Sequence, residues 1–226
     1  MGIVAALVKI MRIDPAAVVG FFPCDHYYSD DESFRCVVRS AVAGAEEFPR
    51  SLVIVGAEAE YAETEYGWIE AELAAFGIQD QPLRRVNRFW EKPAKRQARA
   101  LLRSGCLWNT FVTVGRAATF LELICSEVPD VVRVLAENDL AAAYASVPSV
   151  DFSRDILAHQ AKRLLVVRDS TSGWADLGSP DRVVGLLSKK ANPPAWLRQG
   201  ERSTGIHPGR TGDSSTAIPN KTDPFA

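Results

Sequence analysis

The stretch Ala16-Ala-Val-Val-Gly-Phe-Phe22, followed at once by Pro23-Cys-Asp-His26, decides the fold of this chain. A continuous apolar run is typical of a strand buried on both faces, as in a parallel sheet. Asp25 then follows the carboxyl end of that strand, which is where ligands bind in open α/β sheets. A carboxylate there suits Mg²⁺, although a turn or a helix cap would also use an aspartate. We interpret His26 as a hydrogen-bond partner that orients the loop.

Strand and helix patterns alternate along the rest of the chain. Apolar runs predict further strands at 52–56, 82–90, 106–114 and 164–168. Helical periodicity predicts helices at 3–12, 32–47, 94–104, 117–127, 130–145, 152–159 and 180–189. We interpret 64–70 as a loop that enters a strand and 173–178 as a turn-rich loop. The alternation predicts an α/β fold with a mixed, mostly parallel sheet flanked by helices.

The two ends of the chain differ in character. The apolar start is interrupted by Lys9 and ended by Asp14-Pro15, so it predicts a buried helix and no membrane span. From Ala191 onward the chain is rich in Pro, Gly, Ser, Thr and charged residues. That composition predicts a disordered tail over 191–226, after one domain over 1–190.

Charge and cysteine content exclude several classes of protein. Lysine and arginine total 26 and aspartate and glutamate 28, which gives a net charge of −2 and no overall attraction to nucleic acid or an anionic membrane. A basic stretch lacks interleaved aromatic residues and predicts a solvated face; it comprises Arg84, Arg85, Arg88, Lys95, Arg96 and Arg99. Four cysteines without zinc spacing predict reduced thiols in a cytoplasmic protein; they are Cys24, Cys36, Cys106 and Cys125.

Two loops carry charged candidates besides Asp25. Asp176 lies in the glycine-flanked loop 173–178, where a turn aspartate is the plainer interpretation. Trp174 favours a site, because a large aromatic in a short loop must pack and would direct the aspartate. Glu91 and Lys92 stand side by side at a strand end, stiffened by Pro93. Lys92 would neutralise a sugar phosphate and Glu91 would accept hydroxyl protons, unless they form only a solvated pair.

Two further motifs suit a sugar ligand. Tyr66-Gly67 offers a backbone N–H that a ligand can approach closely, because glycine has no side chain. Trp108-Asn109 places an amide beside an aromatic ring. The plainer alternatives are a turn glycine and a polar residue at a strand edge. No glycine-rich phosphate loop of the forms G-x-G-x-x-G or G-x-x-x-x-G-K-[ST] occurs anywhere in the sequence.

Taken in order, these motifs resemble the bacterial mannose-1-phosphate guanylyltransferases, of the sugar-phosphate nucleotidyltransferase superfamily. The resemblance covers roughly residues 2–187 and rests on Phe22-Pro-Cys-Asp-His26, Thr64-Glu-Tyr-Gly-Trp-Ile69, Phe89-Trp-Glu-Lys-Pro93, Leu107-Trp-Asn109 and Trp174-Ala-Asp-Leu-Gly178. It implies a Rossmann-like nucleotidyltransferase fold. It also implies the Mg²⁺-dependent reaction of GTP with mannose 1-phosphate to give GDP-mannose and diphosphate.

The resemblance also implies roles for individual residues. Asp25 and Asp176 correspond to the metal aspartates, and with Lys92 they would be the catalytic residues. The sugar-phosphate contacts would be Tyr66, Gly67, Glu91, Lys92 and Asn109, with Phe152-Ser-Arg-Asp155 near the sugar. Cys24 stands where the family usually has serine, and Trp68 where it usually has tyrosine.

This sequence lacks one part of the family pattern. The family opens with a strand and a glycine-rich loop that bind the triphosphate, and neither is present in this sequence. We therefore expect little or no turnover from this chain alone, and poor folding or self-association from an uncovered sheet edge. The alternatives are a relative that uses another sugar or nucleotide, and a non-catalytic remnant that binds sugar phosphate or serves as an interaction module. The oligomeric state, a homo-oligomer included, stays open.

Overall fold

The computed structural model describes residues 2–77, 82–137, 142, 145–192 and 194–197. The described residues up to Arg182 form one compact unit, and those from Val183 onward belong to a second. The strands are β1 (Val18–Phe21), β2 (His26–Tyr27), β3 (Leu52–Glu58), β4 (Gly67–Phe76), β5 (Leu83–Glu91), β6 (Leu107–Arg116), β7 (Leu164–Asp169) and β8 (Ala175–Asp176). The helices are α1 (Gly2–Ile13), α2 (Asp31–Glu47), α3 (Lys95–Arg103), α4 (Ala117–Glu127), α5 (Pro129–Glu137) and α6 (Pro180–Ser188).

Local sequence explains where these elements begin. Helix α2 begins after Asp30, whose carboxylate accepts hydrogen bonds from the backbone N–H groups of Glu32 and Ser33, both at 3.0 Å. The predicted helix 152–159 is a π-helix at Phe152–Leu157, capped by the Asp151 side chain, which accepts from Arg154 N–H at 2.9 Å.

The second half of the predicted helix 130–145 lies largely outside the described residues, as does most of the predicted tail 191–226.

Six strands form one mixed sheet in the order β1-β6-β3-β7-β5-β4, and β4 also pairs with β6. Among the described strands, only β3 and β7 pair in parallel, while every other recorded pairing is antiparallel. The α/β class is therefore confirmed, and the expected predominance of parallel pairing is wrong. Strands β4 and β5 follow each other closely along the chain, which favours antiparallel pairing.

The buried strand β3 shows why the apolar runs were misleading. Leu52 and Ile54 belong to a core cluster with α1, α4, α5 and the π-helix, whereas Val53 and Val55 pack in a second cluster with α2. Both faces of the strand are thus covered, and all four side chains are fully buried. A continuous apolar run reports burial on two faces, and this mixed sheet achieves that burial with little parallel pairing.

Two short strands were not expected from the sequence. Strand β2 pairs antiparallel with β8, in a separate two-stranded sheet that places His26 opposite Asp176. The segment 173–178, predicted as a loop, therefore contains a strand of two residues. Among the described residues, no helix is both long enough and apolar enough to cross a membrane.

Candidate active site

One cavity of about 330 Å³ collects most of the residues that the sequence singled out. It is lined by Pro23, Asp25, His26, Glu65, Tyr66, Gly67, Glu91, Asn109, Phe111, Ser153, Trp174 and Asp176. Six of the seven predicted site residues are in this set, and Lys92 is not. These six come from chain segments far apart in the sequence, so the fold has brought them together.

The β2–β8 pairing places the two predicted metal aspartates beside each other. Asp176 lies opposite His26 in the ladder, and the carbonyl oxygen of Asp25 accepts a hydrogen bond from Leu177 N–H at 2.9 Å. The two carboxylates also flank Gly178. A side-chain carbon added at Gly178 would lie 2.8 Å from Asp176 Oδ1 and 3.6 Å from Asp25 Oδ2. Both carboxylates thus border one small space that only glycine leaves open.

This pair of carboxylates fits a divalent cation such as Mg²⁺. Mg²⁺ is usually bound by one or two carboxylates and completes its octahedron with water and substrate phosphates. Within the described part of the chain, no group of three or more His, Cys, Asp or Glu side chains is arranged to hold a metal ion. Asp25 and Asp176 supply two carboxylates at one place, which is the number of protein carboxylates that such a site uses.

His26 and Trp174 orient the aspartate loops. Trp174 Nε1 donates a hydrogen bond to His26 Nδ1 at 3.0 Å, and the Trp174 ring also packs on Tyr66 and Trp108. Burial lowers the pKa of His26, although Asp176 and Asp25 oppose that shift. A neutral imidazole is the form that accepts this hydrogen bond at Nδ1. The interpretation of His26 as an orienting residue agrees with this contact.

Gly67 is the point where three strands meet at the cavity. It lies opposite Glu91 on β5, and its neighbour Trp68 lies opposite Trp108 on β6. A side-chain carbon at Gly67 would stand 2.9 Å from Glu91 Oε2 and 3.1 Å from Asn109 Cβ. The absence of a side chain at position 67 therefore leaves room for Glu91 and Asn109 to line the cavity.

We expect Gly67→Ala to lower the free energy of unfolding by about 1–3 kcal/mol, the usual cost of overpacking. The added carbon would also stand 3.0 Å from the ring of Phe89, which is buried. Urea denaturation measures the change. The control is Gly185→Ala in α6, where nothing lies within 4 Å of the added carbon. Equal stability of the two variants would contradict the crowding at Gly67.

An irregularity in β6 turns Asn109 and Phe111 towards the cavity. The register between β3 and β6 shifts between Ile54 and Gly56, and Phe111 has a φ of 63°, which is unusual for a residue with a side chain. Asn109 Oδ1 accepts a hydrogen bond from Phe111 N–H at 3.1 Å, which holds the amide in place. Such bulges often re-aim side chains beside active sites.

Glu91 titrates near neutral pH in this environment. Burial and, to a smaller extent, the charge of Asp151 raise its pKa to about 7, while Lys92 and Arg154 oppose the rise. Both the carboxylate and the carboxylic acid forms of Glu91 are therefore accessible near neutral pH. A group of this kind in a cleft is a candidate for a functional role. It can accept a hydrogen bond from a sugar hydroxyl when ionised and donate one to it when protonated.

We expect Glu91 to make the protein less stable as the pH rises. Between the ordinary pKa of 4.5 and the folded pKa of about 7, the unfolded chain has already lost this proton and the folded chain has not, so rising pH favours unfolding. Glu91→Gln should remove this loss, with a melting temperature about 2–4 °C above that of the parent protein at pH 8 and no difference at pH 4. Thermal melts at both pH values measure this. The exposed Glu46 provides the control, because Glu46→Gln should give the same difference at both pH values.

Lys92 lies outside the residues that line the cavity. Its Nζ is 3.7 Å from Oε2 of Glu65, which does line the cavity, and both side chains are more than half exposed. An exposed ion pair of this kind contributes little stability. Lys92 also has a φ of 44°, which marks the turn that follows β5. The structure therefore places Lys92 next to the cavity, and the Lys92 side chain is only weakly restrained.

Sequence reasoning missed Arg182 and Glu63. Arg182 Nη1 donates to Asp176 Oδ2 at 2.9 Å, and its Nη2 is 3.6 Å from Glu63 Oε2. The Arg182 guanidinium also lies 4.5 Å from the centre of the Tyr66 ring. No local pattern marks either residue, since their contacts depend on the tertiary fold. Phe111 was missed for the same reason.

The three arginines of the basic stretch on β5 contact nearby residues of the sheet. Arg85 lies 5.4 Å from the centre of the Phe76 ring, and Arg88 lies 4.6 Å from that of Trp90. Arg84 donates to the carbonyl oxygens of Glu72 and Leu73. These three guanidinium groups therefore make contacts within the sheet and its hairpin.

The chain is similar to known proteins along most of its length. A family model described as "Nucleotidyl transferase" matches residues 2–191. The chain is 29% identical over 180 residues to the mannose-1-phosphate guanylyltransferase of Escherichia coli K12, an alignment that covers 74% of this chain and 36% of that protein. The chain thus spans about a third of the length of the curated relatives it matches.

Solved structures give the same picture of the fold. The chain superposes with a TM-score of 0.70 and 28% identity on a Thermus thermophilus protein described as a mannose-1-phosphate geranyltransferase, covering 83% of this chain and 55% of the other. A Helicobacter pylori structure described as a mannose-6-phosphate isomerase gives a TM-score of 0.64 at 19% identity, covering 76% and 69% of the two chains. The second likeness concerns the fold alone.

Proposed function

The chain belongs to the nucleotidyl transferase family, and from this premise we propose that it acts in guanylyl transfer from GTP to mannose 1-phosphate, giving GDP-mannose and diphosphate. One observation carries the proposal: six predicted site residues from distant segments line one cavity. The similarity to a curated mannose-1-phosphate guanylyltransferase supports the choice of sugar and nucleotide.

The cavity residues suit a sugar phosphate that is positioned for attack. Glu91 and Asn109 stand on either side of Gly67, where a carboxyl and an amide can bind sugar hydroxyls. Lys92, beside the cavity, would approach the phosphate and balance its charge as a point cation. In the reaction, a phosphate oxygen of mannose 1-phosphate attacks the α-phosphorus of GTP, and the bond to the departing diphosphate breaks. The residues of this chain therefore act by positioning and charge, without a protein nucleophile.

Asp25 and Asp176 would hold the Mg²⁺ ion that the reaction requires. Bound there, Mg²⁺ would neutralise part of the negative charge on the phosphates. His26 and Trp174 support the two aspartate loops through their hydrogen bond. The site residues are therefore divided between a metal side, at the β2–β8 ladder, and a sugar side, at the meeting of β4, β5 and β6.

A second role is binding of sugar phosphate without turnover. The observation that favours it is the cavity lining, which gathers Tyr66, Gly67, Glu91 and Asn109 beside the two aspartates. A sugar phosphate alone could engage these residues. Both roles share the same cavity and the same sugar-phosphate ligand.

Two measurements on the full chain separate these roles. Calorimetric titration of mannose 1-phosphate with and without Mg²⁺ measures binding, and chromatographic detection of GDP-mannose from GTP and mannose 1-phosphate measures turnover. Binding with turnover supports the transferase, and binding without turnover supports the second role. Absence of both would contradict both. Glucose 1-phosphate and UTP in place of mannose 1-phosphate and GTP test the choice of substrates.

A further inference from the structure

Arg182 is a cation built into the metal side of the site. Its guanidinium contacts Asp176 at 2.9 Å and Glu63 at 3.6 Å, and it stacks on Tyr66 with 4.5 Å between the guanidinium carbon and the ring centre. The side chains of Arg182, Glu63 and Asp176 are 25%, 17% and 19% exposed. Partial burial strengthens these charge interactions compared with the surface ion pairs elsewhere in the unit.

The position of Arg182 is fixed from both sides. Glu63 Oε1 accepts the backbone N–H groups of Thr64 and Glu65 at 2.7 and 3.0 Å, which leaves Oε2 to face the guanidinium. The carbonyl oxygen of Glu63 accepts from Trp68 Nε1 at 2.9 Å, so this turn is tied to the fully buried Trp68. Arg182 therefore bridges a rigid turn and Asp176.

Asp176 is shared between two donors inside the protein. Its Oδ1 accepts from Gly178 N–H at 2.5 Å, and its Oδ2 accepts from Arg182. Both carboxylate oxygens are thus oriented before any ligand binds. The charge of Asp176 is also partly balanced by the guanidinium, which leaves less negative potential for a cation.

We propose that Arg182 is a positioning residue that orients the Asp176 carboxylate and weakens the binding of a divalent cation there. This rests on the proposed function, in which Asp176 holds the cation. Two effects follow from the same contact: the carboxylate has one orientation, and the cation is bound loosely enough to arrive and leave with the phosphorylated substrate. Arg182 does not line the cavity, so it acts through Asp176 and Tyr66.

The test is whether the affinity for a divalent cation rises or falls when Arg182 is replaced. A residue that only supported the structure would weaken cation binding when replaced. Removal of a neighbouring positive charge instead strengthens it, and we expect Arg182→Gln to bind Mn²⁺ about tenfold more tightly. Glutamine keeps an N–H group that can donate to Asp176. Arg182→Met should show the same gain and retains apolar packing over the Tyr66 ring, while Arg182→Lys keeps the charge and should remain within about threefold of the parent protein.

The experiment measures free Mn²⁺ by electron paramagnetic resonance during titration of the full chain. The matched control is Arg168→Gln, which removes an equal charge from an ion pair with Glu58, at 2.5 Å and about half exposed, and should leave the affinity unchanged. Tighter binding in both the Gln and Met variants supports the inference. Unchanged or weaker binding in either folded variant, with normal binding in the parent protein, overturns it and leaves the proposed function standing. No Mn²⁺ binding in any variant overturns both.

Discussion

Asp176→Asn should lower the affinity for mannose 1-phosphate in the presence of Mg²⁺ by about 100-fold. Even residues that only support metal ligands cost 10- to 100-fold when replaced, and in our proposal Asp176 is one of two carboxylates that bind the ion. Asparagine has nearly the same shape and can still accept the hydrogen bond from Gly178 through Oδ1, whereas its amide nitrogen cannot accept from Arg182. The loss therefore reports the removal of the carboxylate charge together with its contact to Arg182, at nearly unchanged side-chain volume. Calorimetric titration with and without Mg²⁺ measures the change.

The matched control for this prediction is Asp181→Asn. Asp181 lies five positions further along the chain, in the first turn of α6, and is exposed. Asp181→Asn removes the same charge from a position outside the residues that line the cavity. The affinity of this variant for mannose 1-phosphate should therefore stay within about twofold of that of the parent protein. An Asp176→Asn variant that binds as tightly as the Asp181→Asn variant would contradict the proposed metal site.

Trp68→Ala should lower the free energy of unfolding by about 3–5 kcal/mol, the usual cost of deleting a buried aromatic side chain. Trp68 is fully buried and lies between Trp90 on β5 and Trp108 on β6. Its Nε1 donates to the carbonyl oxygen of Glu63, so the change also loosens the turn that faces Arg182. We expect a melting temperature lower by about 10 °C, measured by circular dichroism.

Trp196→Ala provides the matched control for this loss. Trp196 is 57% exposed, and removal of the same side chain from an exposed position should cost less than about 1 kcal/mol. Equal changes in stability for Trp68→Ala and Trp196→Ala would contradict this prediction. They would mean that Trp68, between Trp90 and Trp108, does not stabilise the strands of the sugar side.

Local patterns predicted the elements better than their pairing. The apolar run before Pro23 predicts a strand, which is β1 (Val18–Phe21), and Asp30 caps the helix predicted after it. The expected burial of that strand on both faces is wrong, because β1 is a partly buried edge strand that, among the described strands, pairs only with β6, in antiparallel. Pairing direction was not predictable in the same way. Burial of both faces gives β3 its unbroken apolar sequence, and that sequence is the same whether a neighbouring strand is parallel or antiparallel.

The candidate site shows a similar division. Asp25, Gly67 and Asn109 were found because their motifs stand in a characteristic order, and the structure places them in one cavity. The proposed roles of these residues remain predictions. Arg182 was missed because an arginine in the first turn of a helix is ordinary, and its importance arises only from the nearby carboxylates of Glu63 and Asp176.

The sequence by itself determined the α/β class, the buried strands and the loop residues available for a site. Only the tertiary structure decided that β2 pairs with β8 and that His26 meets Trp174, 148 positions away. The physical reason is that periodicity reports the environment of each segment, whereas contacts between distant segments depend on how the whole sheet folds. Asp25 and Asp176 come together through such long-range contacts, with Arg182 beside Asp176. These contacts cannot be inferred from any local sequence pattern.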